Sequence, residues 1–168
     1  MDEDLSIINS NTRNEKIKNF FIKNKNKIIS GIVFLIIIGI SVYSFDKYTN
    51  NKKKEISNTF NSITIDYSET TSDETAKKLI EIVNKQDPTY SPLSLYFIID
   101  NKLITDQETI NSLFKVLIEN TKLDNEIRNL VIYKKALYNA DNAQESDLLN
   151  MLNPIINSKS VWKSHALY

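Results

Sequence analysis

The chain of 168 residues has no cysteine, a single histidine and only two glycines. Without cysteine there is no disulfide framework, no thiolate nucleophile and no cysteine-ligated metal. A lone histidine, His165, cannot assemble a multi-histidine zinc site. Both glycines, Gly31 and Gly39, fall inside one apolar run, so the rest of the chain cannot build the Gly-rich phosphate loops of nucleotide enzymes. An excess charge is also missing. The 21 basic and 21 acidic residues cancel, and the region after the apolar run, with 15 basic and 17 acidic residues, has no strong field to attract nucleic acid. Nineteen of the basic residues are lysine, and with 25 isoleucines and 21 asparagines this bias reflects coding composition more than mechanism.

What is present begins with Ile28 to Phe45, IISGIVFLIIIGISVYSF, 18 residues without a charge. At 1.5 Å per helical residue this run spans about 27 Å, close to the hydrocarbon thickness of a bilayer, and it predicts a transmembrane helix. A cleaved signal sequence fits poorly, because no alanine precedes Ala76 to supply a small-residue cleavage site. Six basic residues precede the run and four follow it closely, Lys47, Lys52, Lys53 and Lys54, so the positive-inside rule places the N-terminus in the cytoplasm. Before the run, Ile17, Phe20 and Phe21 form a short apolar stripe among lysines, fitting either an arm on an anionic leaflet or a disordered tail. Gly31 and Gly39 are eight residues apart, so no small-xxx-small pair indicates tight helix dimerisation. The expected organisation is a basic cytoplasmic tail at 1–27, a transmembrane helix at 28–45, a juxtamembrane helix at 46–70 and a helical domain at 71–168.

Beyond the run, apolar residues recur at helical spacing between capping signals. Ile56, Phe60, Ile63 and Tyr67 make one stripe, and Ala76, Leu79, Ile80 and Val83 a second, opened by a Thr71-x-x-Glu74 capping box and closed by Asp87-Pro88. Ser91-Pro92 predicts the start of a third helix, whose apolar residues Leu93 to Ile99 leave a buried strand as the competing reading. Thr105-x-x-Glu108 opens a fourth with Ile110, Leu113, Phe114, Leu117 and Ile118 on one face. Asp124 caps a fifth, in which Ile127, Leu130, Val131 and Leu137 form one face and Tyr133, Ala136 and Ala140 extend it sideways. Ser146 is expected to cap a sixth, kinked or ended by Pro154, and Val161-Trp162 to start a seventh. The odd members of this series begin near residues 56, 92, 125 and 161, at spacings of 36, 33 and 36. Helix pairs repeating near 34 residues predict an all-α, tetratricopeptide-like α-α solenoid, with an irregular helical bundle as the alternative.

No catalytic constellation emerges from these elements. The carboxylates of Asp73, Glu74, Asp106, Glu108, Asp124, Glu126 and Asp147 fall in first helical turns, where they cap amides and complement the helix dipole. Glu81 and Glu119 lie on polar faces without a partner that would raise a pKa, and His165 sits one turn after Trp162 in a packing or surface position. We therefore assign no catalytic, cofactor-binding or metal-binding residue and no small-molecule substrate. Tyr96, Tyr133 and Tyr138 are the candidates for lining a protein-interaction surface, with a core role preferred for Tyr96.

The order of parts, with Leu123, Asp124, Ile127, Arg128, Leu130 and Val131 opening one helix and Val161-Trp162-Lys163-Ser164-His165-Ala166 near the end, resembles the ancillary SecYEG translocon subunit family. The second segment is similar to that family's Pro-Trp-Arg-x-x-Ala, with Val161 and Lys163 in place of Pro and Arg. The resemblance implies a bacterial inner-membrane protein with a periplasmic tetratricopeptide-like domain, working beside the SecYEG translocon and a periplasmic chaperone. Family members continue for at least another helix past the tryptophan, so truncation or loss of the last repeat, leaving a stacking face uncapped, is the expectation here. The alternative is a scaffold for envelope or cell-division machinery.

Overall fold

The computed structural model describes residues 2–167, with side chains from Arg13 onward. The described residues contain eight α-helices, one 3-10 turn, one π-helical segment and no strand, so the fold is all-α. The competing strand reading of Leu93 to Ile99 is removed.

The chain divides into two units, Met1–Asn51 and Lys52–Tyr168. In the first, α1 (Asp2–Lys23) is separated by Asn24 from α2 (Lys25–Ile65), a helix of 41 residues. Asn24 does not break the hydrogen-bond ladder, since its backbone N–H donates to Phe20 O at 2.9 Å and its carbonyl accepts from Ile28 N at 2.9 Å. Its side-chain Nδ2 adds a second donor to the same Phe20 carbonyl at 3.0 Å. The run Ile28 to Phe45 lies wholly within α2, and none of its 18-residue window is buried. This one helix is long and apolar enough to cross a membrane. Leu35 is 67 % and Phe45 73 % exposed, an apolar surface that water does not tolerate in a contiguous stretch.

The second unit is built on the last turns of α2, where Ile56 and Ile63 are buried as their spacing predicts. Helix α2 stops at Ile65, short of the expected limit at residue 70, and a 3-10 turn at Glu69–Thr71 precedes α3 (Ser72–Asn84). The capping box there is Ser68 with Thr71, not Thr71 with Glu74. Thr71 Oγ1 donates to Ser68 O at 3.0 Å and accepts from Ser68 N at 3.1 Å, and it makes no cap bond to α3. Glu74 instead meets Lys78 at 2.6 Å, which holds its carboxyl below the usual carboxylate range.

Asp87 opens α4 (Tyr90–Asp100) by accepting from Thr89 N at 2.9 Å and Tyr90 N at 2.7 Å. The expected cap Ser91 is fully buried, and its hydroxyl donates across to Ile82 O at 2.8 Å, tying α4 to α3. Asp106, one residue after the expected Thr105, caps α5 (Gln107–Lys115) through Thr109 N at 2.8 Å. The predicted fourth helix then changes pitch into a π-helical segment, Val116–Asn120, where Thr121 N donates to Val116 O at 3.1 Å. Asp124 caps α6 (Asn125–Asn139) as predicted. Helix α7 (Glu145–Ile156) begins before Ser146, with Gln144 at its N-cap and Pro154 inside its last turn; α8 (Lys163–Ala166) is one turn.

With only two glycines in the chain, both in the apolar run, the left-handed positions after α3 and α4 are taken by Gln86 at φ 56° and Lys102 at φ 51°. The core gathers Leu79, Ile82, Val83, Leu95, Ile98, Ile110, Phe114, Leu117 and Val131, all essentially sealed from solvent. Aromatic pairs extend it: Phe60 with Tyr90 at 5.7 Å and Tyr67 with Phe97 at 5.4 Å between ring centroids.

Candidate functional site: an apolar groove on the last three helices

Helices α6 and α7 are joined by a short loop and pack on each other, and α8 packs on α7. Helix α6 divides its apolar residues between two neighbours. Val131 and Asn139 are buried, while Tyr138 packs its ring on Phe114 of α5 at 6.1 Å. Tyr133, Ala136, Leu137 and Ala140 look the other way, as its sideways-extended apolar pattern predicts, though Leu137 belongs to this open side and not to the core face.

Together with Leu148 and Leu152 of α7 and His165 and Ala166 of α8, these residues line a depression of about 580 Å³. Its walls are mainly apolar, yet Leu137 is 56 % exposed and the neighbouring Leu149 53 %. Leu137 also forms the edge of a second, smaller depression of about 220 Å³, lined by Tyr96, Ile99, Phe114, Lys134 and Tyr138. One exposed leucine therefore joins two shallow depressions, the smaller of which also carries Asp100 and Lys134.

Two polar constructions hold this surface in place. The first is a clasp. Glu126 Oε2, at the start of α6, accepts from Ser160 Oγ at 2.8 Å and from Val161 N at 3.2 Å. Ser160 N and Trp162 N are in turn bound to the Ser158 and Ser160 hydroxyls, so the turn entering α8 is fixed onto α6. Trp162 then stacks on Tyr133 at 6.1 Å and 21°, and His165 lies 5.6 Å from Trp162 and 6.1 Å from Tyr133. His165 is thus an exposed residue resting on two rings, within the packing or surface position expected of it. The second is an amide network. Asn139 Oδ1 accepts from Gln107 Nε2 and Asn111 Nδ2, each at 2.9 Å, and its Nδ2 donates to Asn111 Oδ1 at 2.9 Å and Lys135 O at 2.7 Å. All four hydrogen-bonding positions of that buried amide are used, which locks α6 to α5.

The three tyrosines proposed from the sequence are therefore split between the two depressions. Tyr133 is in the larger one, and Tyr96 and Tyr138 are in the smaller. Tyr96 carries Lys134 Nζ 4.6 Å above its ring, and its hydroxyl is buried without a hydrogen-bond partner among the described residues. Burial pushes its phenol well above the ordinary tyrosine value. Leu137, Leu148 and Leu152 were legible only as helix-stripe residues, because nothing in their spacing marks which stripe finds a partner. Among the described residues no three His, Asp or Glu side chains come together as a metal-binding group. No protein-family model, curated protein or solved structure matches the chain.

Proposed function

We propose that this protein is a single-pass, membrane-anchored interaction module of the ancillary SecYEG type, whose helical domain binds apolar segments of other proteins and assists their hand-over to a periplasmic chaperone. The observation that carries the reading is the open apolar groove of α6, α7 and α8, present in the same chain as a wholly exposed apolar helix. A groove framed by Leu137, Leu148, Leu152 and the Tyr133–Trp162 stack suits the hydrophobic side chains of an emerging polypeptide. Tethering raises the local concentration of such a site, so weak contacts are sufficient.

A tetratricopeptide-like stacking of the helices is supported by the long-range hydrogen bonds, which recur at one repeat's separation. Tyr90 Oη donates to Ser57 Oγ across 33 residues, Ser160 to Glu126 across 34 and Val161 to Glu126 across 35. In such an array each helix pair buries a face only against its neighbour, and the groove is the face that α8 leaves open. The basic residues before the apolar run favour a cytoplasmic N-terminus, and the resemblance to the translocon subunit family implies that the membrane is a bacterial inner membrane with the domain in the periplasm.

The test is a photo-crosslinking amino acid at position 149, on the exposed rim of the groove, in cells, followed by mass spectrometry of the products. Translocon components, export chaperones and nascent exported chains are the expected products, and L137D removes them while leaving helix content and melting temperature unchanged. Recovery of division or wall-synthesis proteins without any export component would replace this reading by an envelope scaffold.

A further inference from the structure

From the pattern of α1 we propose that the segment from Arg13 to Ile28 is itself a lipid-binding element: it lies along an anionic bilayer surface instead of projecting into water. The inference rests on the reading of α2 as a membrane anchor. Ile17, Phe20, Phe21 and Ile28 stand at i, i+3, i+4 and i+11, which brings them to one side of the helix. Ile17, Phe20 and Phe21 are 48 %, 60 % and 55 % exposed, so no described part of the chain covers them.

Arg13, four residues before Ile17, heads the stripe, and the lysines flank it. Lys16, Lys23 and Lys27, at i, i+7 and i+11, run along one border, and Lys18 and Lys25, at i and i+7, along the other. Glu15, the one acidic residue of the segment, falls on the far side of the helix. An apolar stripe between two rows of lysine is the geometry of an interfacial helix: the rings enter the headgroup boundary while the ammonium groups snorkel to phosphates. The occupant is an anionic lipid surface because lysine on both borders requires negative charge on both sides of the buried stripe, and because the stripe ends at Ile28, where the bilayer-length run begins.

The F20W substitution in a W162F background reports this directly in the full chain reconstituted into vesicles, because it leaves one indole, on the stripe. In vesicles of phosphatidylcholine with a quarter phosphatidylglycerol, the emission of that indole shifts to the blue and is quenched by brominated acyl chains. In pure phosphatidylcholine, or with K16E/K18E/K23E, it moves to the red and becomes accessible to iodide. Iodide access in both lipids overturns the inference, and so does equal shielding in both, which would remove the role of lipid charge. A second reporter, I36W in the same background, places the indole in the apolar run and separates the two ideas. Deep quenching in I36W with an exposed indole in F20W overturns only the surface helix, whereas absence of quenching in I36W overturns the anchor.

Discussion

Replacing Glu126 by alanine tests whether the groove wall is held from a distance. Glu126 is at the second position of α6, yet its carboxylate accepts from Ser160 Oγ at 2.8 Å and Val161 N at 3.2 Å, across more than thirty residues. Hydrogen bonds to a charged group contribute about 1.5 to 3 kcal/mol each when buried, and less at a half-exposed site such as this. Taking about 2 kcal/mol for the pair, the equilibrium for lifting the Ser160 to Leu167 turn from α6 shifts by about 30-fold. The helix cap survives, because Asp124 Oδ1 serves the Glu126 backbone N–H at 3.0 Å, which alanine retains. Hydrogen exchange resolves the effect: the Lys163 and Ala166 amides, bonded to Ser160 O and Trp162 O, lose about 30-fold in protection while Leu95 and Phe114 keep theirs. E126Q keeps an uncharged acceptor and falls between. Unchanged protection at Ala166 in E126A refutes the clasp, and an equal loss throughout the core shows that Glu126 supports the whole domain instead of one wall.

Three further outcomes follow from the same geometry. N139A removes the amide that serves Gln107, Asn111 and Lys135 and costs about 2 to 3 kcal/mol in chemical denaturation, while N111A/N139A costs little more than N139A because the two share bonds; full additivity contradicts the network. The Asp106 carboxyl is held below its ordinary value by the Thr109 hydroxyl and backbone N–H, so its contribution is complete above about pH 4 and is lost as pH falls through the depressed folded value; D106N flattens that acid dependence of α5 amide protection. K102G relieves a left-handed lysine at φ 51° and raises the denaturation midpoint, equivalent to about 0.5 to 1 kcal/mol, whereas a drop shows that Lys102 is not strained.

The helices were legible because their apolar period survives a biased composition. Ile56 and Ile63, Leu79 and Val83, and Ile110 with Phe114 and Leu117 are buried where the pattern puts them. Their first residues were less so. Thr71, Thr105 and Ser146 each match a capping preference, but that preference does not fix where the first turn begins. Thr71 is committed to Ser68, Asp106 lies one residue after Thr105, and α7 begins before Ser146. Ser91 matches the preference too: read locally it is a cap, yet complete burial gives its hydroxyl a longer-range partner in Ile82. The π-helical turn at Val116–Asn120 has no local marker, since it depends on Thr121 N reaching Val116 O.

The same distinction decides what the groove is made of. Leu130, Val131 and Leu137 are equivalent to a helical-period argument, but Val131 is sealed, Leu130 is half-buried and Leu137 is 56 % exposed. Which apolar residue stays open depends on how many neighbours a helix acquires, and that is a property of the array and not of the stripe. Helix α6 has α5 and the π-helical segment on one side and α7 on another. Its third apolar strip faces Leu148 and Leu152 of α7 and the turn of α8 across the groove, and there Leu137 stays exposed. The Glu126 clasp and the Asn139 network keep that strip rigid while leaving it uncovered, so a partner meets a preformed surface and loses less entropy on binding than it would in ordering a flexible one.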